Sequence, residues 1–338
     1  MSPESHKQPA SVTLQNQPRL SQHDRDAEKN EAKLQLIPVI TEYIKNHDLF
    51  NGQEVNVTFT QQNVSSLVAI LESPESKFVL KVSLSDKRQG EAEFLKVWEN
   101  QNVAVPHVTE EGVFDSTYPY MLMEFIDARQ LRETTDYEHM IEKETFVDMG
   151  KTLHTMHVPE AEGFGPIIDG KASYSEFSEW LTSADLAKKI AYCQKHDVFT
   201  EEHGSLDSAL ETLKSFAKKT GKTSYCHNDF ADYNIFDTQP LTVFDPNPSF
   251  NNRYIDLGMS IVIAIGHGGR TEAADQLIRG YFSESDPINK KVLQAAILLQ
   301  SHVRSTFWNQ TKKMTEVENI RKYLIQNKHL LDMAEDAV

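Results

Sequence analysis

The chain has 338 residues, 50 Asp and Glu against 34 Lys and Arg, and a formal net charge of −16. With 39% hydrophobic and 25% charged residues it has an ordinary globular composition, long enough to bury a core, which excludes wholesale disorder and collagen-like repeats. The negative charge argues against nucleic acid or an anionic membrane surface as partner, no apolar run reaches the ~20 residues of a membrane span, and Cys193 and Cys226 are too far apart for a CxxC pair.

Residues 1–30 are polar, contain three prolines and predict a disordered tail. No basic-then-apolar pattern opens them, so a cytoplasmic location is expected. Helical periodicity begins near Glu31, with Leu34, Leu36, Ile37, Ile40 and Ile44 on one face and Pro38 at a first turn or a kink. From Glu54 the period is two, and strands are predicted at 54–60, 66–71 and 77–83, the last two joined by the turn Ser73-Pro74-Glu75-Ser76. A helix over 87–99 and short strands at 112–114 and 120–125 complete a small antiparallel sheet with one inserted helix. Helices are then expected over 138–157, 174–195 and 205–219. A β interruption follows at 224–226, 234–236 and 241–244, before a return to helix in which Asp286 caps and Pro287 opens a segment. The predicted organisation is α+β: a tail over 1–30, a small sheet lobe over 31–125 and a larger, mostly helical lobe over 126–338.

The informative segment is His227-Asn-Asp-Phe-Ala-Asp-Tyr-Asn234, followed by Val243-Phe-Asp245. Phosphoryl transfer needs one carboxylate to position the acceptor hydroxyl and take its proton. It also needs an amide oxygen and a second carboxylate to hold Mg²⁺ on the nucleotide phosphates. Asp229, Asn234 and Asp245 supply that set, with a hairpin between two short strands placing both metal ligands at adjacent strand ends. Lys81 interrupts the apolar strand Phe78-Val-Leu-Lys-Val82, and a buried lysine there must pair with something. Glu91, ten residues on, is the natural partner and Glu93 the alternative.

These motifs resemble the aminoglycoside phosphotransferase and choline kinase branch of the protein-kinase-like fold. His227 through Asn234 resembles that family's HGDxxxxN, and Phe244-Asp-Pro-Asn-Pro248 with Tyr254-Ile-Asp-Leu-Gly258 resembles its strand-Asp segment and (Y/W)DLA. Phe78–Val82, Gly90–Leu95, Val105-Pro106, Met121–Phe125, Met149–His157 and Gly163–Pro166 are similar, in order, to its VLKV strand, REAxxL helix, VP turn, LLMEY hinge, LGxxLAxLH helix and GFGP turn. The resemblance implies a bilobal kinase-like fold, ATP and Mg²⁺ as cofactors, and a small-molecule hydroxyl as acceptor. It implies Asp229 as base, Asn234 and Asp245 as Mg²⁺ ligands, and Lys81 with Glu91 at the nucleotide phosphates. Backbone groups of Met123, Glu124 and Phe125 would meet adenine, and His227 and Asp256 would brace the catalytic loop.

Two departures stand out. Residues 53–89 hold no glycine, where the family has a glycine- or Ser/Asn-containing phosphate loop; Asn63, Ser65 and Ser66 are the donors available. Asp232-Tyr233 replaces a commonly small pair before Asn234, which suggests a loop shaped for an unusual acceptor. Residues 124–217 carry 19 acids and 9 bases, either a solvated face or the lining for a cationic acceptor such as an aminoglycoside, choline or another amino alcohol. Neutral sugars and homoserine-like acceptors stay open. The competing readings are a nucleotide-binding pseudokinase or regulatory protein, and a kinase acting on a protein hydroxyl.

Overall fold

The structure is a computed structural model, and it describes residues 8–23, 26–61, 65–84, 90–168 and 170–328. It divides into two compact units. One comprises the chain up to Lys96 together with Pro106–Asp127; the other comprises Val97–Val105 and the chain from Ala128 onward. The stretch 97–105 thus belongs with the second unit, although the sequence reading placed it in the first. Among the described residues no helix is long and apolar enough to cross a membrane.

The first unit is a six-stranded sheet: β1 (Ser11–Leu14), β2 (Glu54–Phe59), β3 (Ser66–Glu72), β4 (Lys77–Ser83), β5 (Val108–Phe114) and β6 (Tyr118–Glu124), in the order β1-β2-β3-β4-β6-β5. Helix α1 (Ala27–Asn46) buries Leu36, Ile40 and Ile44 against Val55, Val57, Phe59, Ala69, Leu71 and Leu80. Those three helix positions recur at intervals of four, one stripe of a 3.6-residue period, and the strand positions alternate, so both patterns close on one core. Leu34, also assigned to that stripe, is half-exposed. Pro38 lies inside α1, not at its first turn.

The expected disordered tail over 1–30 is corrected for its described residues, 8–23 and 26–30; residues 1–7 and 24–25 lie outside them. Ser11–Leu14 pair in parallel with Glu54–Val57, Ala10 is buried, and the Asn16 amide donates to the Phe59 carbonyl while accepting its N–H. The sheet is therefore mixed at this edge. The strand escaped notice because four residues of alternation between prolines carry little signal until a partner strand supplies the hydrogen bonds.

Helix α2 (Glu91–Asn100) follows, its predicted start lying partly outside the described residues. The second unit then runs α3 (Leu131–Thr134), α4 (Tyr137–Glu142), α5 (Thr145–Met156), β7 (Glu160–Ala161), β8 (Phe164–Ile168), β9 (Lys171–Tyr174), α6 (Phe177–Leu181), α7 (Ala184–Lys195) and α8 (Leu206–Thr220). Next come β10 (Thr223–Cys226), β11 (Ile235–Phe236), β12 (Thr242–Val243), β13 (Ser249–Asn251), α9 (Arg253–Gly268), α10 (Thr271–Tyr281), α11 (Lys290–Gln310) and α12 (Met314–Asn327). Strands β7-β10-β13-β8-β9 form one sheet, and β11 with β12 the predicted hairpin.

Three helix expectations shift. The helix read over 138–157 breaks at Glu144, whose φ of 56° is left-handed, into α4 and α5. The helix read over 174–195 is α6 and α7, entered from β9. Asp286 does not cap: Asn289 accepts from the Val292 N–H at the start of α11, and Asp286 instead takes a bidentate ion pair from Arg253. Helices α5 and α10 meet on glycine. A Cβ on Gly280 would run into the Val147 carbonyl, so these backbones approach more closely than side chains allow.

Candidate active site

In the first unit, Lys81 sits on β4, a strand flanked on both sides, where Leu80, Lys81 and Val82 are consecutively buried. Successive strand residues face opposite sides, so Leu80 and Val82 enter the core while Lys81 points the other way. Its Nζ lies 2.5 Å from Glu91 Oε1, with the two side chains 7% and 9% exposed. Glu91 opens α2, where a carboxylate also meets the positive end of the helix dipole. Glu93, the alternative partner, is exposed.

The assignment of backbone groups at 123–125 is narrowed. The Glu124 N–H donates to the His107 carbonyl and the Phe125 N–H to the Lys77 carbonyl. Both donors are committed to the sheet. Ser65 is half-buried, and Ser66 is buried at the start of β3 opposite Ser83, its hydroxyl without a partner among the described residues. Asn63 lies outside the described residues. An apolar depression of about 700 Å³ beside α1, lined by Pro38, Tyr43, His47 and Phe114 among others, contains none of the candidate residues.

In the second unit, β10 ends at Cys226 and the chain turns into the loop from His227 to Asn234. Asn228 has a φ of 55°, a left-handed backbone that asparagine tolerates. Its side-chain amide donates to Cys226 O, Asn247 O and Ser249 Oγ, binding the turn to β13. Asp256, fully buried in the first turn of α9, accepts from the His227 N–H at 2.6 Å and the Asn228 N–H at 2.7 Å. It also meets His157 Nε2 at 3.0 Å, and the other nitrogen of that ring meets the Tyr281 hydroxyl. The buried carboxylate is thus satisfied by three N–H donors, as a buried charge must be. His157, Cys226 and Asp256 bring three potential ligand atoms within 4.8 Å, but the bonds just described, with the Cys226 thiol on Asn251 O, account for all three as bracing.

His227 stacks on Trp98, receives the Asp229 N–H on Nδ1 and directs Nε2 at the Phe244 carbonyl. That pairing defines a neutral ring protonated on Nε2, and burial holds its pKa below the usual value. His227 and Asp256 therefore both hold loop backbone, and the His227 ring links the loop to the strand that leads into Asp245.

Asp229 is the centre of the constellation. Its Oδ2 accepts from Asn234 Nδ2 at 3.1 Å, and its Oδ1 accepts from the Tyr233 hydroxyl at 2.6 Å and Arg304 Nη1 at 3.2 Å. Arg304 Nη2 also donates to the Tyr233 oxygen at 2.8 Å. The Asn234 amide nitrogen is used on Asp229, which leaves its carbonyl oxygen as the acceptor. Asp245 follows β12 with a φ of 52°, a left-handed backbone that aspartate, like asparagine, adopts readily. The β11–β12 pairing, Ile235 opposite Val243, sets Asn234 and Asp245 at adjacent strand ends.

Asp232, nearly fully buried, takes a bidentate pair from Arg132 at 3.0 and 3.1 Å. Burial pushes the Asp232 carboxyl up against the pull of Arg132, but the fork geometry is that of a charged pair. Arg132 also lies 4.7 Å over the Tyr233 ring and donates to His267 Nδ1. Sequence reading noticed Tyr233 as unusual but missed Arg132 and Arg304. Arg304 follows Asp229 by 75 residues on α11, and no local pattern connects them.

The model of the phosphotransferase enzyme family matches residues 57–290, more than half of the sequence, and the chain belongs to that family. No curated protein matches it. Among solved structures, a candidate aminoglycoside phosphotransferase from Ralstonia eutropha JMP134 superposes with a TM-score of 0.60 at 11% identity, covering 88% of this chain and 99% of its own. A thermostable mutant of aminoglycoside phosphotransferase APH(4)-Ia, solved with AMP-PNP and hygromycin B, gives 0.57 at 14% identity over 82% and 95%. A candidate fructosamine-3-kinase from Thermobifida fusca YX-ER1 gives 0.52 at 18% identity over 80% and 94%. At such identities the likeness establishes the kinase-like α+β fold.

Proposed function

We propose that this phosphotransferase moves the γ-phosphoryl group of ATP to a hydroxyl of a small molecule, with Asp229 as the base. The observation that carries the reading is the Asp229 carboxylate, held on one oxygen by Asn234 and on the other by Tyr233 and Arg304, in a loop clamped through its backbone by Asp256. A carboxylate fixed this way can orient an acceptor hydroxyl and take its proton as the phosphoryl group leaves the nucleotide, a transfer in which positioning and electrostatics supply most of the rate. The APH(4)-Ia complex with AMP-PNP and hygromycin B supports a nucleotide and a hydroxylated acceptor.

Asn234 and Asp245 would hold Mg²⁺, which supplies charge neutralisation on the phosphates when bound. The fit rests on the Asn234 amide, whose nitrogen is spent on Asp229 and whose oxygen is the remaining ligand atom. Lys81, oriented by Glu91, would contact the nucleotide phosphates, with Ser65 as a donor beside them. Carbonyl oxygens between Met123 and Phe125 would receive the adenine amino group.

The test is Mg²⁺-dependent ADP release across aminoglycosides, choline, amino sugars, neutral sugars and homoserine, with Asp229→Asn alongside. Release stimulated by an acceptor class is expected to fall by about 10²–10⁴ in the variant, while nucleotide affinity stays within about threefold. A variant that transfers at the normal rate would overturn the base assignment. Nucleotide binding without stimulated release would favour a regulatory nucleotide binder.

A further inference from the structure

We infer that the acceptor carries an anionic group, a carboxylate or a phosphate ester, close to the hydroxyl that is phosphorylated, and that Arg304 receives it. The inference rests on Asp229 being the base. Arg304 Nη1 lies 3.2 Å from Asp229 Oδ1 and Nη2 2.8 Å from the Tyr233 oxygen, so a hydroxyl delivered to that carboxylate arrives beside a guanidinium. Of five N–H groups, those two contacts use two, and the buried Nε has no acceptor among the described residues. The fork can therefore hold Asp229 and a second anion together.

The surroundings are rich in donors and positive charge. Because His267 Nδ1 accepts from Arg132, the ring proton sits on Nε2, which is buried and, like the buried Trp308 Nε1, has no acceptor among the described residues. The His267 ring centroid lies 5.9 Å from those of both Tyr233 and Trp308, and the Arg304 guanidinium is 5.6 Å from the Trp308 ring. Burial, with Arg132, Arg304 and Lys313 all nearby, pushes the His267 pKa down to about 3. Arg304 is paired with Asp229, and Arg132 with Asp232, which takes both arms of its guanidinium. Phe307, 47% exposed, is flanked by Arg304 at 5.4 Å and Lys313 at 5.9 Å, an apolar surface bordered by positive charge.

A cationic acceptor would bring its ammonium against Arg304. Of the acidic stretch that suggested one, six members are engaged elsewhere: Asp136 caps α4, Glu138 and Glu144 pair with Arg270 and Arg279, and Asp148, Asp185 and Glu211 pair along their own helices.

The experiment compares acceptors matched in carbon skeleton and differing in charge. The three-carbon ladder is glycerate, glycerol 3-phosphate, glycerol and 3-amino-1,2-propanediol; the six-carbon ladder is gluconate, sorbitol and glucamine. ADP release and, with AMP-PNP and Mg²⁺ present, binding isotherms are measured on the wild-type chain, Arg304→Gln and Arg304→Lys. The wild type is expected to favour the anionic over the neutral member by about tenfold or more and to disfavour the amine. Arg304→Gln should collapse the anionic-to-neutral ratio to within about threefold, and Arg304→Lys should keep an intermediate ratio. Glycerate against glycerol 3-phosphate tells carboxylate from phosphate. A cationic member equal to or better than its neutral counterpart, or a ratio untouched by Arg304→Gln, would overturn the inference. Absence of ADP release with the charge ordering intact in the isotherms would instead count against phosphoryl transfer, and absence of the ordering in both against the anionic acceptor.

Discussion

At the scale of single residues, the second unit keeps its buried charges only where each has partners. Asp256 has three N–H donors and Asp232 a guanidinium fork. Lys81 and Glu91, in the first unit, have each other. Removing one member of such a pair leaves the other buried and uncompensated, which is more costly than removing both. Lys81→Met is therefore expected to lower unfolding stability by about 3 kcal/mol or more. The double variant Lys81→Met/Glu91→Leu should recover most of that stability without recovering phosphoryl transfer. Urea midpoints and ADP release on the three proteins check both halves, and a single variant as stable as the parent would mean the pair is solvated. Tyr233 makes the complementary point. Its bulk in a loop position usually held by a small residue is what lets one hydroxyl reach Asp229 and Arg304 together.

At the scale of elements, the edge strand β1 shows how a tail becomes structure. Its backbone bonds run from Ala10 to Lys45, Ser11 to Gln53 and Gln15 to Val57, so it covers the otherwise open edge of β2 and helps bury Val55 and Val57. Deleting residues 1–17 is expected to lower the thermal midpoint by about 5 °C or more. Thermal unfolding of the truncated chain reads this directly, and an unchanged midpoint would return the segment to the status of a dispensable tail. Helix α9 works in the same way for the loop. Gly258, whose absent Cβ would stand 3.0–3.2 Å from Ala296, allows α9 to pack on α11, and α9 carries Asp256 while α11 carries Arg304. The two helices that brace and charge the Asp229 loop are thus held in one tight contact.

At the scale of the whole molecule, histidines couple stability to pH. Burial lowers the pKa of His227, His302 and His267, the last to about 3, below the ordinary value near 6.5. A group depressed in the fold is bound to fewer protons there than in the unfolded chain. Its stabilisation is therefore complete above about pH 6.5 and is lost as the pH falls through that value, by up to about 1.4 kcal/mol per unit for each ring. Urea unfolding at pH 7.5, 6.5 and 5.5 should show the decline, and His267→Gln should flatten it by roughly one proton's share; a flat wild-type profile would mean the rings are charged in the fold. The sequence by itself determined the order of elements from β2 to β6 and the later hairpin of β11 and β12, though not the strands β7 to β9 between them, because alternation and 3.6-residue stripes are local properties of a chain that must bury apolar faces. It also marked Asp229, Asn234 and Asp245 by spacing, and Lys81 by a charge inside an apolar strand whose partner had to lie on the next helix. What only the tertiary structure decided is what those groups touch. Arg304 reaches Asp229 across 75 residues, Arg132 reaches Asp232 across 100, and β1 finds β2 across 43. These meetings depend on how α11, α3 and α1 pack, and packing is settled by the sum of many weak contacts that no short window of sequence contains.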